Sequence, residues 1–443
     1  MADTVPPDDD RRAGNKRGAQ SGTVADPRYA RSFQPDERSE RPSRDRGAPE
    51  RTQRNHRDSR RHTCAARGRQ DTAAGARPAR VEQGSVRGSG FRGEAYAALD
   101  LGTNNCRLLI ARPSGRDFTV IDAFSRVVKL GEGLATTGRL SDAAMDRALA
   151  ALSICADKLR RRNVRLARSV ATEACRRAAN GEEFIERVRR ETGIALDIIS
   201  AEEEARLAVL GCHILLEAGE GPAMIFDIGG GSTELVLLEA GDAEGRRVPR
   251  ILDWQSVPWG VVSLTDTVGQ DDGLECEAGR AARRERYEEM RRLVRESFAD
   301  FADRIGDAPR EANIRLLGTS GTVTTLASLH LGLPHYDRKA VDGLIVNSDD
   351  MRAISTRLSG MSPAQRSTLP CIGNDRADLV VAGCAILETI LDLWPAARLG
   401  VADRGIREGI LRSMMAADRQ GERALKKLRG ERPAERPAER PAK

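Results

Sequence analysis

Two α/β lobes facing one phosphate-binding cleft are what this 443-residue sequence predicts, on three observations. A strand, a glycine turn and a second strand occur twice, at 98–110 and 224–238, and strands alternate with helices after each occurrence. The length suffices for two ordinary cores. No run of 18 or more apolar residues is available to span a bilayer.

The second hairpin carries Asp227-Ile228-Gly229-Gly230-Gly231-Ser232-Thr233-Glu234. Glycines place no Cβ where the backbone must approach an anion, so successive N–H groups and the Ser232 hydroxyl can converge on phosphate. Asp227 and Glu234 supply hard oxygen ligands for Mg²⁺, or a carboxylate that orients water. The first hairpin repeats the pattern 127 positions earlier in Asp100-Leu101-Gly102-Thr103-Asn104-Asn105-Cys106-Arg107. Asp100 matches Asp227, Gly102 matches Gly229 and Arg107 falls opposite Glu234. Either hairpin alone is also an ordinary β-turn; the pair in register reads as two duplicated domains gripping phosphate from both sides, with Asp100, Asp227 and Glu234 as candidate metal ligands.

Charge separates the chain into parts. Residues 1 to 90 hold nineteen Arg and one Lys against thirteen Asp and Glu, while the rest holds 52 basic and 53 acidic residues. The net charge of +6 thus belongs to the N-terminal arm, and the remainder has no bulk basic signature. Only Tyr29 and Phe33 offer aromatic faces in that arm, so base stacking is poorly supported and nucleic-acid or polyanion tethering is a secondary reading. Residues 1–93 are expected as a disordered Arg-rich arm and 421–443, with Glu-Arg-Pro-Ala repeats, as a disordered Pro-rich tail. The opening residues lack an apolar export signal. The eight cysteines contain no C-x-x-C pair, which suits reduced thiols in a cytoplasm without structural zinc.

Between these ends the elements follow in order. Strands are expected near 118–124 and 126–130, then a helix capped by Ser141 and a strand over 165–172. The strand runs into Thr172-Glu173-Ala174-Cys175-Arg176, where Arg176 either reaches a phosphate or sits exposed on a short helix. A strand at 195–199 leads to Ser200-Ala201-Glu202-Glu203-Glu204-Ala205-Arg206, with Ser200 as N-cap and Glu203 as the capping-box glutamate, leaving Glu204 free. After the second hairpin come a strand over 250–257 ending in Pro258-Trp259-Gly260-Val261-Val262-Ser263, and a charged helix over 279–303 expected as a solvated outer face. A strand at 314–317 opens into Gly318-Thr319-Ser320-Gly321-Thr322, a small-residue turn and a second natural anion site at a helix start, or simply a strand-to-helix turn. Helices over 349–358 and 378–391, a strand at 398–401 and a last helix from Arg407-Glu408-Gly409 complete the folded part. The expected division is 94–214 and 215–420.

Taken together, Asp100 to Asn105, Thr172 to Arg176, Glu203-Glu204-Ala205-Arg206, Asp227 to Glu234, Gly318 to Thr322 and Arg407-Glu408-Gly409 resemble, in order and spacing, the exopolyphosphatase and guanosine pentaphosphate phosphohydrolase (Ppx/GppA) family. The resemblance covers about residues 94 to 415. It implies two ribonuclease-H-like domains, as in the actin, Hsp70 and sugar kinase superfamily, around a cleft holding phosphates and Mg²⁺. By it, Glu204 corresponds to the general base on the attacking water, and Asp227 and Glu234 to carboxylates that position metal and water. Gly102, Thr103, Asn104, Asn105, Gly229, Gly230, Gly231, Ser232, Ser320, Gly321 and Thr322 line phosphate loops, and Arg176 contacts phosphate. The family usually has serine where Asn105 stands and often where Ala402 stands. No helical HD-type domain follows, so the chain resembles the short, two-domain branch, for which a homodimer is expected.

The implied reaction is release of orthophosphate from polyphosphate ends by Mg²⁺-assisted water attack. The same reacting group occurs in pppGpp. An ATP-dependent kinase on the shared fold, and a non-catalytic polyphosphate or alarmone sensor, are the readings of other classes.

Overall fold

A computed structural model of the chain describes residues 31–32, 94–115, 117–219, 221–239, 248–307 and 314–428. Of the expected arm, only Arg31–Ser32 fall within these; Arg31–Ser32 (β1) pairs antiparallel with Leu166–Ala167, a departure from an unstructured arm at that one place. The rest of the arm lies outside the described residues. So do residues 429–443 of the expected tail, whereas 421–428 are helical.

The first lobe grows from β2 (Ala95–Leu101) and β3 (Asn105–Ser114), antiparallel about the first glycine turn with Asp100 opposite Arg107. β4 (Asp117–Val127) extends the meander as one strand where two shorter ones were expected. α1 (Asp142–Arg161) starts at Ser141, whose Oγ accepts from the Ala144 amide at 3.3 Å, so the capping expectation holds. It returns the chain to β5 (Val164–Ala171), parallel to β2. α2 (Glu173–Arg177), β6 (Asp197–Ile198), parallel to β5, and α3 (Ala201–Cys212) follow. Ser200 caps α3 by accepting from the Glu203 amide at 3.1 Å. The reciprocal half of the box does not form, because the Glu203 carboxylate is taken by Arg206 at 2.8 Å and Arg168 at 3.0 Å, and charge-assisted bonds win over a neutral N–H.

The second lobe repeats the plan. β7 (Ala223–Ile228), β8 (Thr233–Leu238) and β9 (Ile251–Val257) form the antiparallel meander, followed by α4 (Val261–Val268) and α5 (Glu277–Ile305). β10 (Arg315–Thr319) lies parallel to β7, then come α6 (Gly321–His330), the edge strand β11 (Ile345–Asn347), α7 (Leu379–Leu393) and β12 (Arg398–Ala402), parallel to β10. The order β4-β3-β2-β5-β6 in one sheet therefore corresponds to β9-β8-β7-β10-β12 in the other, strand for strand and sense for sense.

The final helix α8 (Ile406–Leu428), grouped by sequence with the second domain, packs on the first sheet. Side chains alternate across β2, so Ala97 and Leu99 face the α1 core while Tyr96 and Ala98 meet Ile410, Leu411 and Met414 of α8. α3 packs its other side, Ala205, Val209 and Cys212, on the second sheet. The α3–α8 crossing is backbone to backbone. A Cβ on Gly409 would fall 2.0 Å from the Leu207 carbonyl oxygen, and one on Gly211 would fall 2.0 Å from that of Gly405. The glycine of the Arg-Glu-Gly motif thus holds the helix that carries Glu204.

α5 corrects the expectation of a solvated outer helix. Tyr287, Met290, Val294, Phe298 and Phe301 recur at three- and four-residue spacing and form a buried stripe, with Trp394 at 6.0 and 5.7 Å from the last two rings. Below the stripe Arg366, 2% exposed, donates to the carbonyls of Ala377 at 2.6 Å and Met361 at 2.7 Å. Its Nη2 lies 3.7 Å from both Asp271 and Asp378. Arg366→Ala is expected to lower unfolding free energy by about 3–5 kcal/mol, because buried carbonyls and a carboxylate lose their donor. Urea titration checks it, and a loss under about 1 kcal/mol contradicts it. No helix among the described residues is long and apolar enough to cross a membrane.

Candidate active site

The glycine loop between β7 and β8 is held from behind by α4. The Val261 amide donates to the Gly229 carbonyl at 3.0 Å, the Val262 amide to Gly230 at 2.8 Å, and the Ser263 hydroxyl to Gly231 at 3.0 Å. In a planar trans peptide the carbonyl and the next N–H point oppositely, so the amides of Gly230, Gly231 and Ser232 face away from α4. They border the cavity there, forming an anion-binding concavity. Gly260 lets α4 come this close, since its Cβ would sit 2.4 Å from the Gly230 carbonyl carbon. The first loop is braced likewise, with the Thr103 carbonyl accepting from Gly131 at 2.9 Å and that of Asn104 from Val128 at 2.9 Å. The two loops touch: a Cβ on Gly230 would lie 3.0 Å from Thr103 Cβ, and one on Gly231 would lie 2.6 Å from Thr103 Oγ1.

At the third loop, Ser320 adopts φ 145°, a strained value for a residue with a side chain. Its Oγ accepts from the amides of Thr322 at 3.1 Å and Val323 at 3.2 Å. This helix start is therefore already capped by its own serine and offers an anion less than the other loops do.

Gly102 to Asn105, Gly229 to Ser232 and Ser320 to Thr322 line one cavity together with Asp100, Asp227, Glu204 and Glu234. Arg176 does not line it. Sequence reasoning passed over Glu173, Arg107 and Arg376 as site residues, all three of which border the cavity. Arg107 was visible as the residue facing Glu234 in the repeat; Arg376 comes from a short 3-10 turn, Asn374–Arg376, with no periodic signal.

The cavity gathers buried carboxylates, Glu173, Glu204 and Glu234, and half-buried ones, Asp100 and Asp227. Burial, reinforced by the negative charge of Glu234, pushes Asp227 up to about 8. Burial raises Asp100, against Arg107 and Arg407, and raises Glu234, whose Oε1 accepts from Ser232 Oγ at 2.6 Å and Ser256 Oγ at 2.9 Å. Glu204 lies well above the usual carboxylate range through burial and then Glu234, opposed by Arg176. Such acids lack sufficient local cations, a charge that a hard divalent ion would supply. Asn104 Oδ1, buried and without a partner among the described residues, adds another hard oxygen. No three acidic, His or Cys side chains among the described residues converge as a ready cage, so Asp100, Asp227 and Glu234 are not a closed ligand set. That arrangement fits Mg²⁺, which takes few carboxylates and completes its shell with phosphate oxygens and water.

The pocket, about 130 Å³, continues into a chamber of about 570 Å³. Asp100, Arg107, Asp227, Ser320, Gly321 and Arg376 border both, whereas Glu173, Glu204 and Glu234 border only the first. The chamber adds Arg338, Arg404, Arg407 and Tyr336. Arg338 is tied to Glu408 at 2.8 Å and Asp403 at 3.0 Å, and Arg404 to Asp342 at 2.7 Å. Arg107, Arg376 and Arg407 have no side-chain hydrogen bond or ion pair among the described residues, so three guanidinium groups remain for a polyanion.

Residues 109–418 match the Ppx/GppA phosphatase family. The chain belongs to that family. As a Ppx/GppA phosphatase it is a phosphoanhydride hydrolase. It is 31% identical to "Exopolyphosphatase 2" of Mycobacterium tuberculosis over 72% of this chain and 98% of that protein. It is 28% identical to "Guanosine-5'-triphosphate,3'-diphosphate pyrophosphatase" of Aeromonas salmonicida, over 72% of this chain and 59% of that one. Among solved structures, the Aquifex aeolicus family member aligns with TM-score 0.58 and 28% identity, covering 73% of this chain and 98% of that one. An exopolyphosphatase from Cytophaga hutchinsonii aligns with TM-score 0.62 and 25% identity, covering 73% and 98%. These Ppx/GppA structures share the two-lobed α/β fold.

Proposed function

We propose that the protein is an exopolyphosphatase releasing orthophosphate from the ends of inorganic polyphosphate. The observation that carries this reading is the layout of the cleft: Glu173, Glu204, Glu234 and both glycine loops border only the inner pocket, Asp100, Asp227, Arg107 and Arg376 border pocket and chamber alike, and Arg407 borders the chamber. An in-line displacement needs water on one side of the phosphorus and the leaving chain on the other. Glu204 accepts the proton of the attacking water, since it borders only the pocket end. The amides of Gly230, Gly231 and Ser232 hold the oxygens of the terminal phosphoryl group. A chain of further phosphates fits the chamber, where Arg107, Arg376 and Arg407 neutralise it. Asp100 and Asp227, with Asn104 and Glu234, are the residues that would hold Mg²⁺, which when bound would supply further charge neutralisation at the reacting phosphate.

Arg376→Gln is expected to raise KM for long-chain polyphosphate about tenfold with kcat within about threefold, because it removes binding without touching the base. Steady-state kinetics check it; an unchanged KM places the chain elsewhere.

A specific observation also favours pppGpp. Tyr336, 42% exposed, borders the arginine chamber and presents an aromatic ring on which a nucleobase can stack. Phosphate release from polyphosphate and from pppGpp, at matched terminal phosphate and with Mg²⁺, decides between them. A clear preference for polyphosphate supports the proposal, and a preference for pppGpp replaces it with the 5′-phosphohydrolase reading. No release from either refutes both and leaves a sensor or a kinase.

A further inference from the structure

Arg176 is the predicted phosphate ligand that the cavity leaves out, and its own bonds explain why. Its Nε and Nη2 both donate to Glu173 Oε2, at 3.1 and 2.6 Å. Its Nη1 donates to the Ile199 carbonyl at 2.8 Å and to Glu204 Oε2 at 3.1 Å. Each guanidinium nitrogen therefore already has a protein acceptor. Turning the group toward substrate would strip a cation from carboxylates whose side chains are only 12% and 9% exposed, which is unfavourable for buried charge.

The anchor points are themselves fixed. The Ile199 amide donates to the Ala171 carbonyl at the end of β5 at 3.1 Å, and the next residue, Ser200, caps α3. Arg176 thus ties α2 to the first turn of α3, where Glu204 stands, through one immobile carbonyl and two carboxylates. Glu173 and Glu204 border the cavity while Arg176 stands behind them. Only Oε2 of Glu204 is engaged; Oε1 accepts no hydrogen bond among the described residues and remains for a water molecule.

We infer that Arg176 is a positioning residue, which with Glu173 and the Ile199 carbonyl fixes the Glu204 carboxylate so that Oε1 meets the attacking water, and that it does not bind substrate phosphate. The inference rests on the hydrolytic reading above. A misplacement of about 1 Å at such a base lowers turnover roughly 100-fold while leaving substrate contacts intact. Lys cannot reproduce the fork, because its single ammonium spans neither both carboxylates nor their geometry.

The test compares Arg176→Gln, Arg176→Lys and Glu173→Gln on Mg²⁺-dependent phosphate release, with melting temperature as the fold control. Expected are a kcat lower by about 100-fold for both Arg176 variants with KM within about threefold, and a smaller kcat loss at unchanged KM for Glu173→Gln. A raised KM that Lys restores, or a lowered KM in Glu173→Gln as the arginine is freed, overturns it. Where the Arg176 variants fail to fold, Glu173→Gln carries the test alone. Equilibrium binding of inorganic polyphosphate to Glu204→Gln, with and without Arg176→Gln, provides a readout independent of turnover. Equal affinity supports positioning; a tenfold loss shows a phosphate ligand. A wild-type chain that releases no phosphate sinks the proposed function, while the binding comparison still reads Arg176.

Discussion

Glu204→Gln lowers kcat by about 10²–10⁴-fold and leaves polyphosphate affinity within about threefold. The size follows from the position of the carboxylate. It borders the pocket end of the cleft alone, is buried, and has one oxygen pinned and one open. Glutamine keeps the shape and loses the basic oxygen, so water is no longer deprotonated as it attacks. The loops and the arginine chamber are untouched, which is why binding persists. Rapid-mix phosphate release and equilibrium binding measure the two sides separately. Turnover within tenfold of wild type removes Glu204 from the base role.

Asp227→Asn abolishes most activity and yet stabilises the metal-free protein. Asp227 is half-buried in the cleft and pushed up to about 8 in the fold, against an ordinary 3.8. Because the folded value is the higher one, its contribution to stability is complete below pH about 4 and is lost as pH rises toward 8. Wild-type protein in chelator is therefore expected to lose melting temperature over that window. The asparagine variant loses less, and at pH 8 it is more stable by at least about 1–2 kcal/mol. Added Mg²⁺ reverses the order by raising the wild-type midpoint only. Calorimetry at pH 5 and pH 8, with and without Mg²⁺, checks all four states. A variant less stable than wild type at pH 8 in chelator shows that the carboxylate is compensated in the fold.

Much of the site is local, and that part was legible. The hairpins place Asp100 against Arg107 and Asp227 against Glu234, a consequence of turn length that a period-two pattern encodes. Ser141 and Ser200 cap their helices as side chains of that kind do at those positions. What escaped depends on partners far away in the chain. Arg176 meets Glu204 across 28 residues, and nothing in Thr172-Glu173-Ala174-Cys175-Arg176 distinguishes a guanidinium turned inward from one aimed at phosphate. Glu203 was read as a capping group because its local spacing is right, but Arg206 on its own helix and Arg168, arriving from β5, take its carboxylate. The brace of α4 behind the glycine loop and the passage of α8 between the lobes rest on Gly260, Gly211 and Gly409, whose close approaches are tertiary. The stripe of α5 was present in the spacing of Tyr287 to Phe301. A dense run of Arg and Glu on the other faces hid it.

The measurement that bears most directly on the account is phosphate release from polyphosphate in ¹⁸O-labelled water with Mg²⁺ and no nucleotide acceptor. Water attack at the terminal phosphorus predicts one solvent oxygen in each orthophosphate released, with the signal lost in Glu204→Gln. Orthophosphate without solvent oxygen, or turnover that appears only when a phosphoryl acceptor is supplied, contradicts it.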